Sequence, residues 1–213
     1  MRAILSGVTE PREIAEGVEA VTDGVWHWRI HNAGIGGAIS SSHAVADGGG
    51  CVLVDPVRLD DDALASLPPP TAIALDATTH QRASWRYRSQ LGIEVWLPED
   101  ARAGDEEPDR RYAEGDTLPG GLLAIRTPGP EWPHYSFLLE RDPGVLLCSD
   151  LIGRDDEGAL EFVPPEYHDD PAETRRSVER MLELPFSILC LAHGAPVTDD
   201  PKGALRRLLD TTA

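Results

Sequence analysis

The chain has 213 residues, a length suited to one domain of ordinary size, and 41% of them are hydrophobic, enough to bury a sizeable core and to exclude wholesale disorder. Acidic residues outnumber basic ones 37 to 19, a formal net charge of −18. A surface of that sign repels phosphate backbones and anionic lipid, which excludes nucleic acid and membrane surfaces as partners.

Met1–Ser6 carries one arginine and too few apolar residues for a signal-peptide core, and no apolar run is long enough to span a bilayer. The expectation is a soluble, cytoplasmic protein. Val21–Ile30 (VTDGVWHWRI) alternates around Asp23-Gly24, as a half-buried strand pair does. Gly48-Gly49-Gly50 precedes an apolar run and reads as a hairpin turn. Short apolar runs bounded by Gly, Pro or Asp predict buried strands at Cys51–Val54, Thr71–Leu75, Ile93–Leu97, Leu122–Ile125, Ser136–Leu139, Val145–Cys148 and Ile188–Leu191. Cys51, Cys148 and Cys190 each sit in such a run, the setting of buried free thiols, and no Cys-x-x-Cys pair offers a metal or redox site.

Helices are marked by their caps. One is predicted from Asp60 to Leu67, with Asp60, Asp61 and Asp62 in its first turn; another from Arg82 to Leu91, stopped by Gly92. Asp170-Pro171-Ala172-Glu173 opens a third, with Val178, Met181 and Leu182 as its apolar stripe, and Asp200-Pro201 opens a fourth. The polar stretch Arg102–Asp116 reads as a surface loop or frayed helix. Acidic runs at Asp60–Asp62, Asp105–Asp109 and Asp155–Glu157 match no motif and read as solvated faces. The result is an α/β chain.

His80, Asp150 and His193 each follow an apolar strand where a loop begins. Loops beyond strand ends converge in α/β sheets, so these three can meet although distant in sequence. Imidazole and carboxylate converging on one point form a divalent-metal set. No Gly-x-Ser-x-Gly elbow, Gly-x-Gly-x-x-Gly loop or calcium-loop spacing supports another chemistry.

The ordered blocks Leu53-Val54-Asp55-Pro56, Thr79-His80, Gly115-Asp116-Thr117-Leu118-Pro119-Gly120-Gly121, Thr127-Pro128-Gly129, Ser149-Asp150 and Ala192-His193-Gly194 resemble the metallo-β-lactamase superfamily over roughly Val18 to Leu209. The resemblance implies an α/β (α+β) fold, a four-layer αββα sandwich of two mixed β-sheets, with residues 1–213 forming one such domain. It also implies a metal-dependent hydrolase of esters, thioesters, lactams or phosphoesters. The chain departs from the family at its metal motif. Where the family has His-x-His-x-Asp-His, this sequence has His80-Gln81-Arg82-Ala83-Ser84-Trp85, and the histidine of Thr-Pro-Gly-His is Pro130. His80, Asp150 and His193 match three of seven expected ligands. Arg82 brings positive charge to a cation's place, and is expected to pair with Asp150 or Asp76.

Glu131 and His134 join Arg82 as pocket candidates, since they could supply a rearranged site; a packed, hydrogen-bonded His134 is favoured. Trp85 and Trp132 flank the pocket or belong to the core. His168 is read as a turn residue, and His27, His31 and His43 match no ligand. Two functions stay open. One is a hydrolase of small ester- or thioester-like substrates with a single Zn, Fe or Mn ion on the three survivors. The other is a metal-free, catalytically inactive member binding a small molecule or a protein partner. A third use, Arg82 binding a substrate carboxylate, follows from its charge, and a homodimer is compatible with either function.

Overall fold

The computed structural model describes residues 10–102, 106–154 and 158–211. Met1–Ser6, Asp105 and Asp155–Glu157 lie outside the described residues. β1 (Glu19–Thr22) and β2 (Val25–His31) form the antiparallel pair expected around Asp23-Gly24, with Gly24 at φ +66° in the turn. β3 (Ile39–Asp47) and β4 (Gly50–Val54) make the next hairpin, through Gly48 and Gly49 at positive φ. β5 (Pro70–Ala74), β6 (Glu94–Pro98) and β7 (Arg110–Tyr112) then add in parallel, giving a seven-stranded sheet in chain order.

The second sheet uses β8 (Thr117–Leu118), β9 (Leu122–Arg126), β10 (Tyr135–Leu139) and β11 (Val145–Cys148). A short ribbon of β12 (Ile152–Arg154) and β13 (Leu160–Phe162) follows, before β14 (Ile188–Leu191) closes the second sheet in the order β14-β11-β10-β9-β8. Only β11 and β14 pair in parallel there. Among the described residues the α-helices are α1 (Asp61–Ser66), α2 (Ser84–Leu91), α3 (Pro171–Met181) and α4 (Pro201–Thr211). Asp170 caps α3 as expected, Asp60, expected in the first turn of α1, caps that helix instead, each accepting a backbone N–H, and Gly92 ends α2 in the left-handed conformation.

Alternation along the strands sorts the core into three layers. Leu53 and Ile73 face one way with Trp28 and Leu97, against Ala63 of α1 and Tyr87 of α2. Val52 and Val54 face the other way, meeting Leu122, Phe137 and Cys190 between the sheets. Leu138, Leu146 and Leu189 on the far side of the second sheet pack on Val178 and Met181 of α3 and Leu205 of α4. This is an αββα sandwich. The three cysteines are buried and free. Among the described residues no helix is long and apolar enough to cross a membrane.

One element differs from expectation. The stretch read as loop or frayed helix contains β7, which pairs with β6 and buries Tyr112, whose hydroxyl donates to Leu75 O at 2.7 Å. Three residues flanked by charge carry no period, so only the neighbouring strand makes this segment extended.

Candidate metal centre

The site lies where strands of both sheets end. β11 and β14 are parallel neighbours, so Asp150 and His193, which follow them, emerge side by side. His80 comes from the other sheet, in a one-turn 3₁₀ segment (Thr78–His80) after β5. That loop is tied across the sandwich by Tyr135 N–H donating to Asp76 O at 3.0 Å. His80, Asp150 and His193 each offer a ligand atom within 4.8 Å of the others. Asp150 Oδ1 lies 3.0 Å from His80 Nε2 and 2.8 Å from His193 Nε2. His80 is buried, whereas the Asp150 and His193 side chains are 22% and 24% exposed, so the site opens to solvent on their side.

The opposite ring nitrogens are already committed. His80 Nδ1 donates to Asp76 Oδ1 at 2.9 Å, with Asp55 Oδ2 at 3.3 Å, and His193 Nδ1 donates to Ile39 O at 2.6 Å. In a neutral imidazole with Nδ1 protonated, Nε2 carries only a lone pair. Two such lone pairs meet a carboxylate oxygen at Asp150, and this arrangement requires positive charge, either extra protons or a cation, at the point where they converge. Fixing of each ligating histidine through its second nitrogen is the usual support of a metal site. The donor set fits a divalent cation.

Charge in the cluster is strongly redistributed. Burial would lower the pKa of His80, but the Asp150 carboxylate, helped by Asp76 and opposed by Arg82, holds it well above the ordinary histidine value. Burial pushes Asp150 up, yet the charge of His80 and the hydrogen bonds from His193 and His80 bring it well below the usual carboxylate range. Asp76 is raised by burial and by the charge of Asp55, while Asp55, itself pushed up by burial, is brought down by its hydrogen bond to His80. Asp55 and Asp76 support the site through His80 Nδ1, a role the sequence pattern does not assign them. Their signal was the placement of a carboxylate at each of two apolar strand ends.

Arg82 is not the ion-pair partner expected of it. It takes φ +40°, and its Nη1 donates to Ser41 O at 2.6 Å and Asp55 O at 3.0 Å. Among the described residues it has no ion pair with Asp76 or Asp150 within 4.0 Å. The left-handed backbone carries the buried side chain to a place where one end of its guanidinium, Nη1, is held by two main-chain carbonyls. Ser84 is buried at the start of α2, and Trp85 packs against the helix-side core with Nε1 donating to Gln81 Oε1.

His134 is the packed, hydrogen-bonded histidine favoured above. Its Nδ1 donates to Thr127 O at 2.7 Å and its Nε2 accepts from Asp150 N–H at 3.2 Å, so neither nitrogen is left for a rearranged metal site. Burial lowers its pKa to about 4. Glu131 Oε1 accepts from the backbone N–H and hydroxyl of Thr79, steadying the turn before His80. Trp132 is 54% exposed, and the Arg126 guanidinium stacks 4.7 Å from its ring centre.

Residues 68–193 match the sequence model of the metallo-beta-lactamase superfamily. Among solved structures, the chain resembles the DIM-1 metallo-β-lactamase exposed to ceftazidime, with TM-score 0.71, 13% identity, and coverage of 96% of this chain and 100% of that one. It also resembles the mono-zinc form of the FIM-1 metallo-β-lactamase from Pseudomonas aeruginosa, with TM-score 0.70, 15% identity, and coverage of 96% and 99%. An archaeal metallo-β-lactamase superfamily protein from Sulfolobus tokodaii gives TM-score 0.66, 16% identity, and coverage of 92% and 86%. At these identities the structural likeness is one of fold. No curated protein matches the sequence.

Proposed function

The chain belongs to the metallo-β-lactamase superfamily, and on that premise we propose that it hydrolyses small ester- or thioester-like substrates with one divalent cation held by His80, Asp150 and His193. The observation that supports this reading is the pair of histidines whose Nδ1 atoms are tied to Asp76 and Ile39 O while both Nε2 atoms aim at one Asp150 oxygen. Zinc, iron and manganese all accept imidazole and carboxylate donors. A cation bound there supplies Lewis acidity towards a carbonyl oxygen and makes water more acidic.

The chain's own residues supply orientation. Asp76 and Asp55 hold the His80 ring, Ile39 O holds His193, and His134 fixes the backbone of Asp150. A substrate enters from the side on which Asp150 and His193 are open, with His80 as the floor. Metal analysis of protein purified without chelator tests the reading, together with hydrolysis of p-nitrophenyl acetate and an acyl thioester. About one ion per chain is expected, with Asp150→Asn lowering both metal affinity and turnover at least ~10-fold. A metal content near zero that stays there after zinc, iron and manganese are added would reject it.

The second reading is a metal-free binding module. Arg82, Ser84, Trp85 and Pro130 at four of the family's ligand positions favour it. In that case His80, held protonated between Asp76 and Asp150, closes the site by hydrogen bonds alone.

A further inference from the structure

Trp132 and Tyr167 are the exposed aromatic side chains of the described residues, at 54% and 73%. Their segments are tied together, with Asp169 N–H donating to Pro130 O at 3.0 Å. The Trp132 loop is pinned to the cation site on both sides of the ring. Before it, Glu131 Oε1 accepts from Thr79 N–H, next to His80, at 3.2 Å; after it, His134 Nε2 accepts from Asp150 N–H at 3.2 Å. At 3.8 Å per residue, the Trp132 Cα lies within about 7.6 Å of the His134 Cα. The indole is itself held. The Arg126 guanidinium stands 4.7 Å from the centre of its ring and 5.6 Å from that of Tyr135, and Nη2 donates to the Tyr135 hydroxyl at 3.1 Å. Arg126 and Tyr135 are register partners on β9 and β10, and β11, which leads to Asp150, is the next strand. With neighbouring strands about 4.8 Å apart, β9 lies about 10 Å from β11 along the sheet end.

We propose that the Trp132 indole, braced by Arg126, is the platform on which the substrate's acyl group stacks, and that it selects an uncharged aromatic group; the inference rests on the functional reading above. Bracing removes rotamer freedom that a half-exposed side chain otherwise keeps, so a ligand that stacks there has less entropy to take away. The charge of Arg126 is spread over two rings, the Tyr135 hydroxyl and Glu114, whose carboxylate is 4.0 Å from Nε. The carboxylates of Glu131 and Asp150 stand on the site side of the ring, so an anionic acyl group is repelled. A flat aromatic ring gains stacking geometry as well as buried area, whereas a saturated chain gains area alone.

The test compares the phenylacetyl and hexanoyl thioesters of N-acetylcysteamine, which share one leaving thiol. In wild type kcat/KM is expected to favour phenylacetyl. Trp132→Ala should lower the phenylacetyl-to-hexanoyl ratio ~3- to 10-fold, the range an aromatic pair contributes, and Trp132→Phe should keep most of it. A second readout needs no turnover: the indole N–H resonance of Trp132, assigned by its loss in Trp132→Phe, should shift with phenylacetamide and not with cyclohexylacetamide. Hydrolysis with an unchanged ratio in Trp132→Ala would overturn the proposal and leave the functional reading standing. If wild type hydrolyses neither thioester, the functional reading falls and the resonance decides the platform: a shift with phenylacetamide alone supports it, and no shift, or the same shift with both amides, overturns it.

Discussion

His80 is gripped from both sides, by Asp76 and Asp55 on Nδ1 and by Asp150 on Nε2. That explains how a fully buried imidazole has its pKa raised when burial alone would lower it. A consequence belongs at this scale. Without a cation, Asp150 and Asp76 favour the protonated form of His80, so a cation on Nε2 competes with a proton. Apparent affinity then rises up to ~10-fold per pH unit until pH passes the His80 pKa. Titration calorimetry in phosphate and in Tris should give binding heats that differ by the buffers' ionisation enthalpies; equal heats would contradict the proton release. His80, Asp150 and His193 were legible in the sequence because each follows an apolar run. The fates of Arg82 and His134 were not, since they depend on a left-handed φ at one and on partners 7 and 16 residues away at the other.

Among the elements, α3 docks by its N-terminal end onto the loop after β9, with Asp170 N–H donating to Gly129 O at 2.9 Å. Gly129, at φ +136°, permits it, since a Cβ there would lie 2.2 Å from Thr174 Oγ1 and 2.4 Å from Thr174 N. Backbone strain and overlap act together in Gly129→Ala, which is expected to destabilise by about 3 kcal/mol, visible as a lower urea midpoint. A midpoint within error of wild type would show that the loop and helix can part freely. The α3 start was legible from Asp170-Pro171 because a cap is a local signal. Its packing against Gly129 was not, and neither was the strand character of Arg110–Tyr112, because both come from a neighbour rather than from local pattern.

Across the whole molecule, histidines are distributed between a polar site and an apolar interior. His27 and His43 face each other across β2 and β3 with ring centres 5.3 Å apart, both buried and with both Nε2 atoms unpartnered. Burial, with Arg29 adding, lowers His27 to about 4, and burial with the charge of His27 lowers His43 well below its ordinary value. Above about pH 6.5 both rings are neutral in the folded and unfolded chain alike. Below it the unfolded chain takes up protons that the folded rings refuse, so stability falls as pH drops from about 6.5 towards 4, by up to ~1.4 kcal/mol per pH unit for each ring. Urea unfolding at pH 7 and pH 5.5 measures this slope, and His27→Leu should make it shallower by one ring's share; an unchanged slope would contradict the account. The sequence by itself determined the layers, since alternation, caps and turn residues are local consequences of backbone sterics and apolar burial. It also determined that two histidines and an aspartate stand at strand ends. Only the tertiary structure decided which side chains meet there, because hydrogen bonds across two sheets commit one nitrogen of each ring and turn Arg82 away, and neither effect leaves a trace within any short window of residues.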